Sequence, residues 1–334
     1  MKRPLFFLVL LGAVLLSGCT GSAPQNTNRV VVYCSVDDVF AKPILDQLAR
    51  ETGLDIKPLF DVESAKAAGL ANKIRAERDR PRADVFWAST TLQTELLAHE
   101  GRLARYVPAT ASDVPGAFKD PQGYWTAVGL RARVLVAHEP TTQSDLAFVP
   151  PGAAGRFAIA NPQFGTTSDW AAAYGAMLGT EKTVALFRGM RAAGVRVLPG
   201  NSDVALGVAD GTLSLGVTDS DDFLNQKKQG KRIFLVRTKE NNVLVPGCAS
   251  LVANGPHPDN GRKLLDALVS SRNEARFAQA MPGVLSVRRL DTKDGWTSGG
   301  EDFSFLQREP RPDFSRWRTA WEGLRQPLAD VFTP

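Results

Sequence analysis

The chain has 334 residues but only three histidines, three cysteines and four tyrosines. His99, His138 and His257 lie away from the acidic and hydroxyl-rich loops, which argues against a His-rich zinc site. There is no H-E-x-x-H, no P-loop and no nucleophile elbow, so the common signatures of metalloproteases, NTPases and α/β-hydrolases are missing. The longest apolar run, Leu5 to Leu16, has twelve residues with Gly12 inside it. That is too short for a membrane span, which needs about 20. Charges are scattered, with no basic block interleaved with aromatics, which argues against a nucleic-acid partner. No strict internal repeat is found.

What is present is an ordinary globular composition, 43% apolar and 22% charged. A chain of this length can bury large cores and suggests two domains or one two-lobed unit. The formal charge of +5, less Lys2 and Arg3, leaves +3 on the body. Lys2 and Arg3 form a positive n-region ahead of the twelve-residue apolar core, the pattern of a signal peptide. Leu16-Ser17-Gly18-Cys19 resembles the lipobox of bacterial lipoproteins. That resemblance implies a signal peptide over 1–19, diacylation of Cys19, and a body held by lipid on the periplasmic or extracytoplasmic face of a bacterial membrane. Residues 20–28 are Gly, Ser, Pro, Gln, Asn, Thr and Ala without periodicity, and read as a flexible tether. Cys34 and Cys248 remain; export permits a disulfide, while their apolar strand contexts equally suit two buried thiols.

From Arg29 the chain alternates. Arg29–Tyr33, 55–60 and 83–87 are β-branched or apolar runs, each followed by a helical pattern. This rhythm predicts a parallel sheet with right-handed crossovers. Residues 123–137 read as one long extended segment, with Arg131 and Arg133 alternating with apolar neighbours. A second α/β unit follows: strand 156–160, a loop over 161–168, a helix from about Asp169, a helix over 182–193, a strand over 195–198 and a helix capped by Gly200-Asn201-Ser202. Strands near 233–236 and 242–253 and helices over 259–268 and 274–280 complete it. Phe314, Trp317 and Trp321 sit at helical spacing near the end and read as packing.

The most informative stretch is Leu213 to Phe223. A strand runs into Gly216 and then meets Asp219, Ser220, Asp221 and Asp222 before a helix from about Phe223. In open α/β sheets ligands lie beyond the carboxyl ends of the strands. The turn is therefore read as half of a binding cleft, with Asp221 first and Asp219 second as ligand contacts, and Asp222 as the expected helix cap. Asp37 and Asp38 hold the equivalent place after the first strand, where a capping role competes with binding. Thr166, Thr167 and Ser168 follow a glycine at a helix start, a place for an anion or for plain capping; Asn201 and Ser202 carry the same ambiguity. Ser89, Trp87, Tyr33 and Trp125 are further candidates for the cleft wall, and Glu63 is an additional acidic candidate.

Val31 to Ser35, Ala83 to Trp87, Gly165 to Ser168, Gly200 to Ser202, Gly216 to Asp222 and Val245 to Ala253 with Pro256-His257-Pro258 form an ordered set. It resembles the periplasmic solute-binding proteins of ABC importers, specifically the ferric-iron binders and their relatives, from about Val30 to Ala280. The resemblance implies an α/β, two-lobed periplasmic-binding-protein fold of the type II kind: lobe 1 over 29–138, lobe 2 over 139–239, and a return to lobe 1 with C-terminal helices over 240–334. It implies a monomer that captures a solute without catalysis and hands it to a permease and its ATPase. In the ferric binders two adjacent tyrosines hold iron; here Ser220 and Asp221 fall in their place, Asp37 falls where a histidine stands and Ser89 at or near a glutamate. Oxygen donors still suit a hard cation such as Fe3+, bound by Asp37 and Asp221, with a synergistic anion on Thr166 to Ser168. An organic ligand remains open: an amine facing the carboxylates and Trp87, a phosphonate on the Thr/Ser loop, or an aminoalkylphosphonate using both. A two-carboxylate hydrolase is the rival from another class.

Overall fold

The computed structural model describes residues 27–61, 67–142, 149–150, 152–238, 243–308 and 313–332. The stretch expected as signal peptide with Cys19, most of the expected tether, and Glu63 lie outside the described residues.

The first half is built from β1 (Arg29–Cys34), α1 (Asp38–Thr52), β2 (Asp55–Phe60), α2 (Ala68–Ala76), β3 (Val85–Ala88) and α3 (Leu92–His99). Ile44, Leu45 and Leu48 of α1 are buried, as their spacing requires, and Gly53 closes the helix in a left-handed conformation with φ 70°. After the two-residue β4 (Leu103–Ala104) comes β5 (Thr126–Ala137), a twelve-residue strand buried along almost its whole length. The second half holds β6 (Phe157–Ala160), α4 (Gly165–Leu178), α5 (Thr180–Ala192), β7 (Arg196–Leu198), α6 (Asn201–Ala209), β8 (Leu215–Asp219), α7 (Ser220–Lys228) and β9 (Phe234–Val236). The chain returns through β10 (Val243–Val252), α8 (Pro258–Leu268), α9 (Ser271–Ala280), the small β11–β12 hairpin (Thr297–Ser298, Glu301–Asp302) and α10 (Phe314–Phe332).

Two parallel ladders, β2-β1-β3 and β8-β6-β7, are joined by the antiparallel pair β10-β5. β10 pairs antiparallel with β3, and β5 pairs antiparallel with β8, so one sheet runs through both halves and the two long strands cross between them. The carboxyl ends of β1, β2 and β8 therefore face one another across a gap, as the topology of open α/β sheets demands. α10 packs on α3 of the first half and on α4 and α5 of the second. Gly175 of α4 permits this approach, since a Cβ there would lie 2.4 Å from Leu324 Cδ1. Phe314, Trp317 and Trp321 are buried, and Phe314 stacks edge-on against Trp125 at 5.6 Å between ring centres. The aromatics of the C-terminal helix are thus core, as expected.

Three local expectations are corrected. β8 continues to Asp219 instead of breaking at Gly216, because the antiparallel ladder carries on to the Arg133–Asp219 pair. α7 consequently begins at Ser220, and Asp219, not Asp222, occupies its N-cap position. α4 begins at Gly165, so Thr166, Thr167 and Ser168 form its first turn and no loop reaches residue 168; all three are buried, and Ser168 Oγ donates to Gly165 O at 2.7 Å. The choice left open for Cys34 and Cys248 falls to free thiols, both buried.

Candidate solute-binding cleft

Between the halves lies a cavity of about 640 Å³. From the first half it is lined by Ser35, Val36, Asp37, Asp38, Val39, Phe40, Phe60 and Asp61. From the second come Ser202, Asp221, Asp222 and Asn225. Five carboxylates thus share one cleft, with no basic side chain among its described lining residues. Asp37 sits at the N-cap position of α1 without accepting a capping hydrogen bond there, and Asp38 is the first helical residue. Asp222 accepts a hydrogen bond from Ser202 Oγ at 2.7 Å, tying α7 to α6 along the cleft wall.

Behind this wall two arginines enter from β5. Arg133 is fully buried and donates to Asp219 Oδ1 at 2.7 Å, to Asn201 Oδ1 at 2.8 Å and to Thr166 Oγ1 at 3.1 Å. Thr166 Oγ1 and Asn201 Nδ2 donate in turn to Asp219 Oδ2, at 2.6 and 3.2 Å. This is an anion cradle, made of a guanidinium, a hydroxyl and an amide at the starts of α4 and α6. Its anion is internal: the Asp219 carboxylate fills the place expected for a phosphate or carbonate. Burial alone would raise the Asp219 carboxyl, but Arg133 and Arg131 outweigh it and hold the group below the ordinary carboxylate range.

Arg131 stands one step along the same face. Its Nη1 lies 3.3 Å from Asp219 Oδ2 and 3.4 Å from Asp221 Oδ2, and its Nη2 donates to Ser89 O at 2.6 Å. Asp221 is pushed up to about 6, chiefly by burial and by the like charges of Asp219 and Asp37, with Arg131 opposing. Its Oδ1 is buried and has no hydrogen-bond partner among the described residues. The Asp221 backbone is fixed from outside by Gly283, at φ 96°, where a Cβ would lie 2.4 Å from Asp221 Cα. Ser220 Oγ clamps the same contact by donating to Gly283 O at 2.6 Å while accepting from Ala132 N at 3.0 Å.

The other candidates are placed as follows. Ser89 is not part of the cleft lining: it lies in a separate pocket of about 20 Å³ that shares Ser35, Val36 and Asp37 with the cleft and also holds Arg131, and its Oγ accepts from Ser35 Oγ at 3.2 Å. Trp87 is fully buried against Phe277, and Trp125 donates Nε1–H to Glu95 at 2.7 Å away from the cleft. Tyr33 donates its hydroxyl hydrogen to Glu77, outside the cleft. Thr167 is fully buried, with its hydroxyl 3.4 Å from Asn201 Oδ1. The structure brings Asp37, Asp38, Asp221, Asp222 and Ser202 to one space and puts Asp219, Thr166 and Asn201 behind it. The roles of Arg131, Arg133, Asp61 and Phe40 were missed. A signal existed for the two arginines: guanidiniums two residues apart in an otherwise apolar strand must find buried carboxylates.

A model of the family described as bacterial extracellular solute-binding proteins matches residues 29–280, and the chain belongs to that family. An uncharacterised protein of Haemophilus influenzae is 21% identical over 291 residues, which cover 82% of each chain. Among solved structures, iron-bound HitA from Pseudomonas aeruginosa superimposes with a TM-score of 0.78 at 19% identity, covering 91% of this chain and 99% of that one. AfuA from Actinobacillus pleuropneumoniae, with exogenous fructose-6-phosphate bound, has a TM-score of 0.78 at 19% identity, covering 90% of this chain and 98% of that one. These likenesses share the two-lobed periplasmic-binding-protein fold expected from the sequence. The family places the body outside the cytoplasm, and no helix of the described residues is long and apolar enough to cross a membrane.

Proposed function

We propose that this protein is the solute-capturing component of an ABC importer and that its solute is an organic cation of the polyamine or small-amine class. The lobes, 29–138 with the return after 240 and 139–239, close on the solute by bending β5 and β10, and the loaded protein hands it to a permease energised by an ATPase. Diacylated Cys19 keeps the monomer at the membrane. The work is capture, with no catalytic step.

The observation that carries the choice of a cation is Asp221 Oδ1: a buried carboxylate oxygen with no hydrogen-bond partner among the described residues, in the wall of a cleft lined by five carboxylates. An ammonium group donating to it would satisfy an acceptor that is otherwise costly to leave bare. The apolar lining residues Val36, Val39, Phe40 and Phe60 suit the methylenes of such a ligand. The filling of the anion cradle by Asp219 speaks against a phosphonate or sugar phosphate, which would have to displace an internal ion pair.

A second reading is Fe3+ held by Asp37 and Asp221. It is favoured by the carboxylate oxygens of Asp219, Asp221 and Asp222, which lie within 4.8 Å of one another. Against it, Arg131 already bridges Asp219 and Asp221, and a guanidinium there repels a trivalent ion about three times as strongly as a singly charged ammonium at the same distance. Elemental analysis of chelator-free protein, followed by calorimetric titration with putrescine, spermidine and ferric citrate, separates the two. Saturable heat with an amine and none with iron supports the proposal. Stoichiometric iron, lost in Asp221→Asn, overturns it in favour of the metal, and no binding of either class overturns the cation reading.

A further inference from the structure

A second cavity, about 580 Å³ in volume, opens on the outer side of the first half along the β2 edge. Its lining includes Arg29, Lys57, Lys73, Arg80, Arg82 and His257, and no carboxylate. Three nearby acids compensate part of this charge. Asp55 pairs with Lys57 at 2.7 Å, Glu77 with Lys73 at 3.1 Å, and Asp84 with His257 at 2.9 Å. Arg29, Arg80 and Arg82 are exposed and have no side-chain ion pair among the described residues. The cavity is therefore cationic on balance, the opposite of the acidic cleft.

Its position relative to the chain entry says what it faces. Asn260 Nδ2 donates to both Thr27 O and Arg29 O at 2.8 Å, so the chain joins the body at a fixed point, and Arg29 itself lines the cavity. Thr27 is eight residues from Cys19, a reach of at most about 30 Å even when fully extended. A body tethered so closely to a bilayer presents this cavity to lipid headgroups, and anionic headgroups complement its charge.

We propose that the Arg29–Arg80–Arg82 cavity docks on the phosphodiester headgroups of an anionic membrane and holds the β2 edge of the body against the bilayer. The placement rests on the lipid-anchor reading, but the headgroup contact does not need the lipid, so the two are tested apart. The chain from residue 20 onward, which carries neither Cys19 nor the apolar run Leu5–Leu16, is sedimented with vesicles of phosphatidylglycerol and of phosphatidylcholine. Binding to phosphatidylglycerol alone, weakened by salt, is expected. The combined R29Q, R80Q and R82Q changes should weaken it on the order of 100-fold, at about fivefold per arginine, with an unchanged melting temperature. Equal binding to both lipids, or full binding by the triple variant, overturns the proposal. Loss of vesicle binding in millimolar inorganic phosphate at constant ionic strength overturns it too, since the cavity would then be a free-phosphate site. If the wild-type chain proves unlipidated while the chain from residue 20 still binds phosphatidylglycerol, the docking surface stands and the anchor falls.

Discussion

Replacing Asp219 by alanine tests the electrostatic design of the cleft most directly. Arg133 is fully buried, and Asp219 is its only carboxylate partner among the described residues, at 2.7 Å. Removing one member of a buried ion pair strands the other, at a cost of about 3–5 kcal/mol. Asn201, Thr166 and Val217 O still accept from the guanidinium, so the lower half of that range is expected. In urea unfolding this appears as a fall in the midpoint with an unchanged slope. In a thermal scan it is roughly 6–16 °C, at about 2–4 °C per kcal/mol for a chain of this size. The second arm distinguishes a lost ion pair from general damage. Asp219→Ala leaves a cradle built for an anion, so phosphate at 100 times its dissociation constant should restore about 2.7 kcal/mol. The wild type, whose cradle already holds a carboxylate, should gain nothing. A cost below about 1 kcal/mol would show that the pair does not hold β8 to β5. Equal stabilisation of wild type and variant by phosphate would refute the internal-anion argument and reopen the phosphorylated ligands.

Further outcomes follow from the same geometry. Asp221 titrates near 6 and a cation needs it ionised, so affinity should fall about tenfold from pH 7 to pH 5, and Asp221→Asn should bind weakly at both pH values. Asp169 of α4 caps α3 across the two halves, its Oδ1 accepting from Thr91 N and Leu92 N at 3.0 Å. Burial pushes its carboxyl up from 3.8 to about 7, so its contribution to stability is present below pH 4 and is lost as pH rises through 7. From pH 5 to pH 8 the unfolding free energy from urea titrations should therefore drop more in the wild type than in Asp169→Asn, by at most roughly 3 kcal/mol. Gly283→Ala drives a Cβ into the Asp221 backbone at a left-handed φ; calorimetry should show weakened solute binding together with a loss of about 2 kcal/mol or more in stability. Trp321→Ala, at a buried position of α10, should cost about 3–5 kcal/mol by chemical denaturation without changing affinity.

The solute's chemistry turns on whether the anion cradle is full, and nothing local announces that. A hydroxyl-rich helix start after a glycine looks the same whether its anion is a phosphate from solvent or a carboxylate from fifty residues away. Thr166 and Asp219 are joined only because β6 and β8 are neighbours in the second ladder, with α4 following β6. The same reasoning separates the five cleft carboxylates from Asp219, which the chain carries only two residues from Asp221. Residues on the two sides of a strand-to-helix junction point in different directions: Asp219, the last of β8, faces the core, and Asp221, in the first turn of α7, faces the gap.

Order along the chain determined the rest. Strand runs with helical spacers dictate two parallel ladders, because a crossover of a dozen residues cannot make a hairpin. The long extended segment 123–137 could be read as a crossing strand from its length; 242–253 was legible only as extended and apolar. Ladder topology then sends the residues after β1 and β8 to one cleft, so Asp37, Asp38 and Asp221 were legible as a group. Tertiary structure alone decided the partners of Arg131 and Arg133, the buried and unpartnered oxygen of Asp221, and the retreat of Trp87, Trp125 and Tyr33 from the cleft. It also decided that Cys34 and Cys248 stay thiols. Each of these depends on which faces of distant elements meet, and a period of two or 3.6 residues says which face is buried without saying against what.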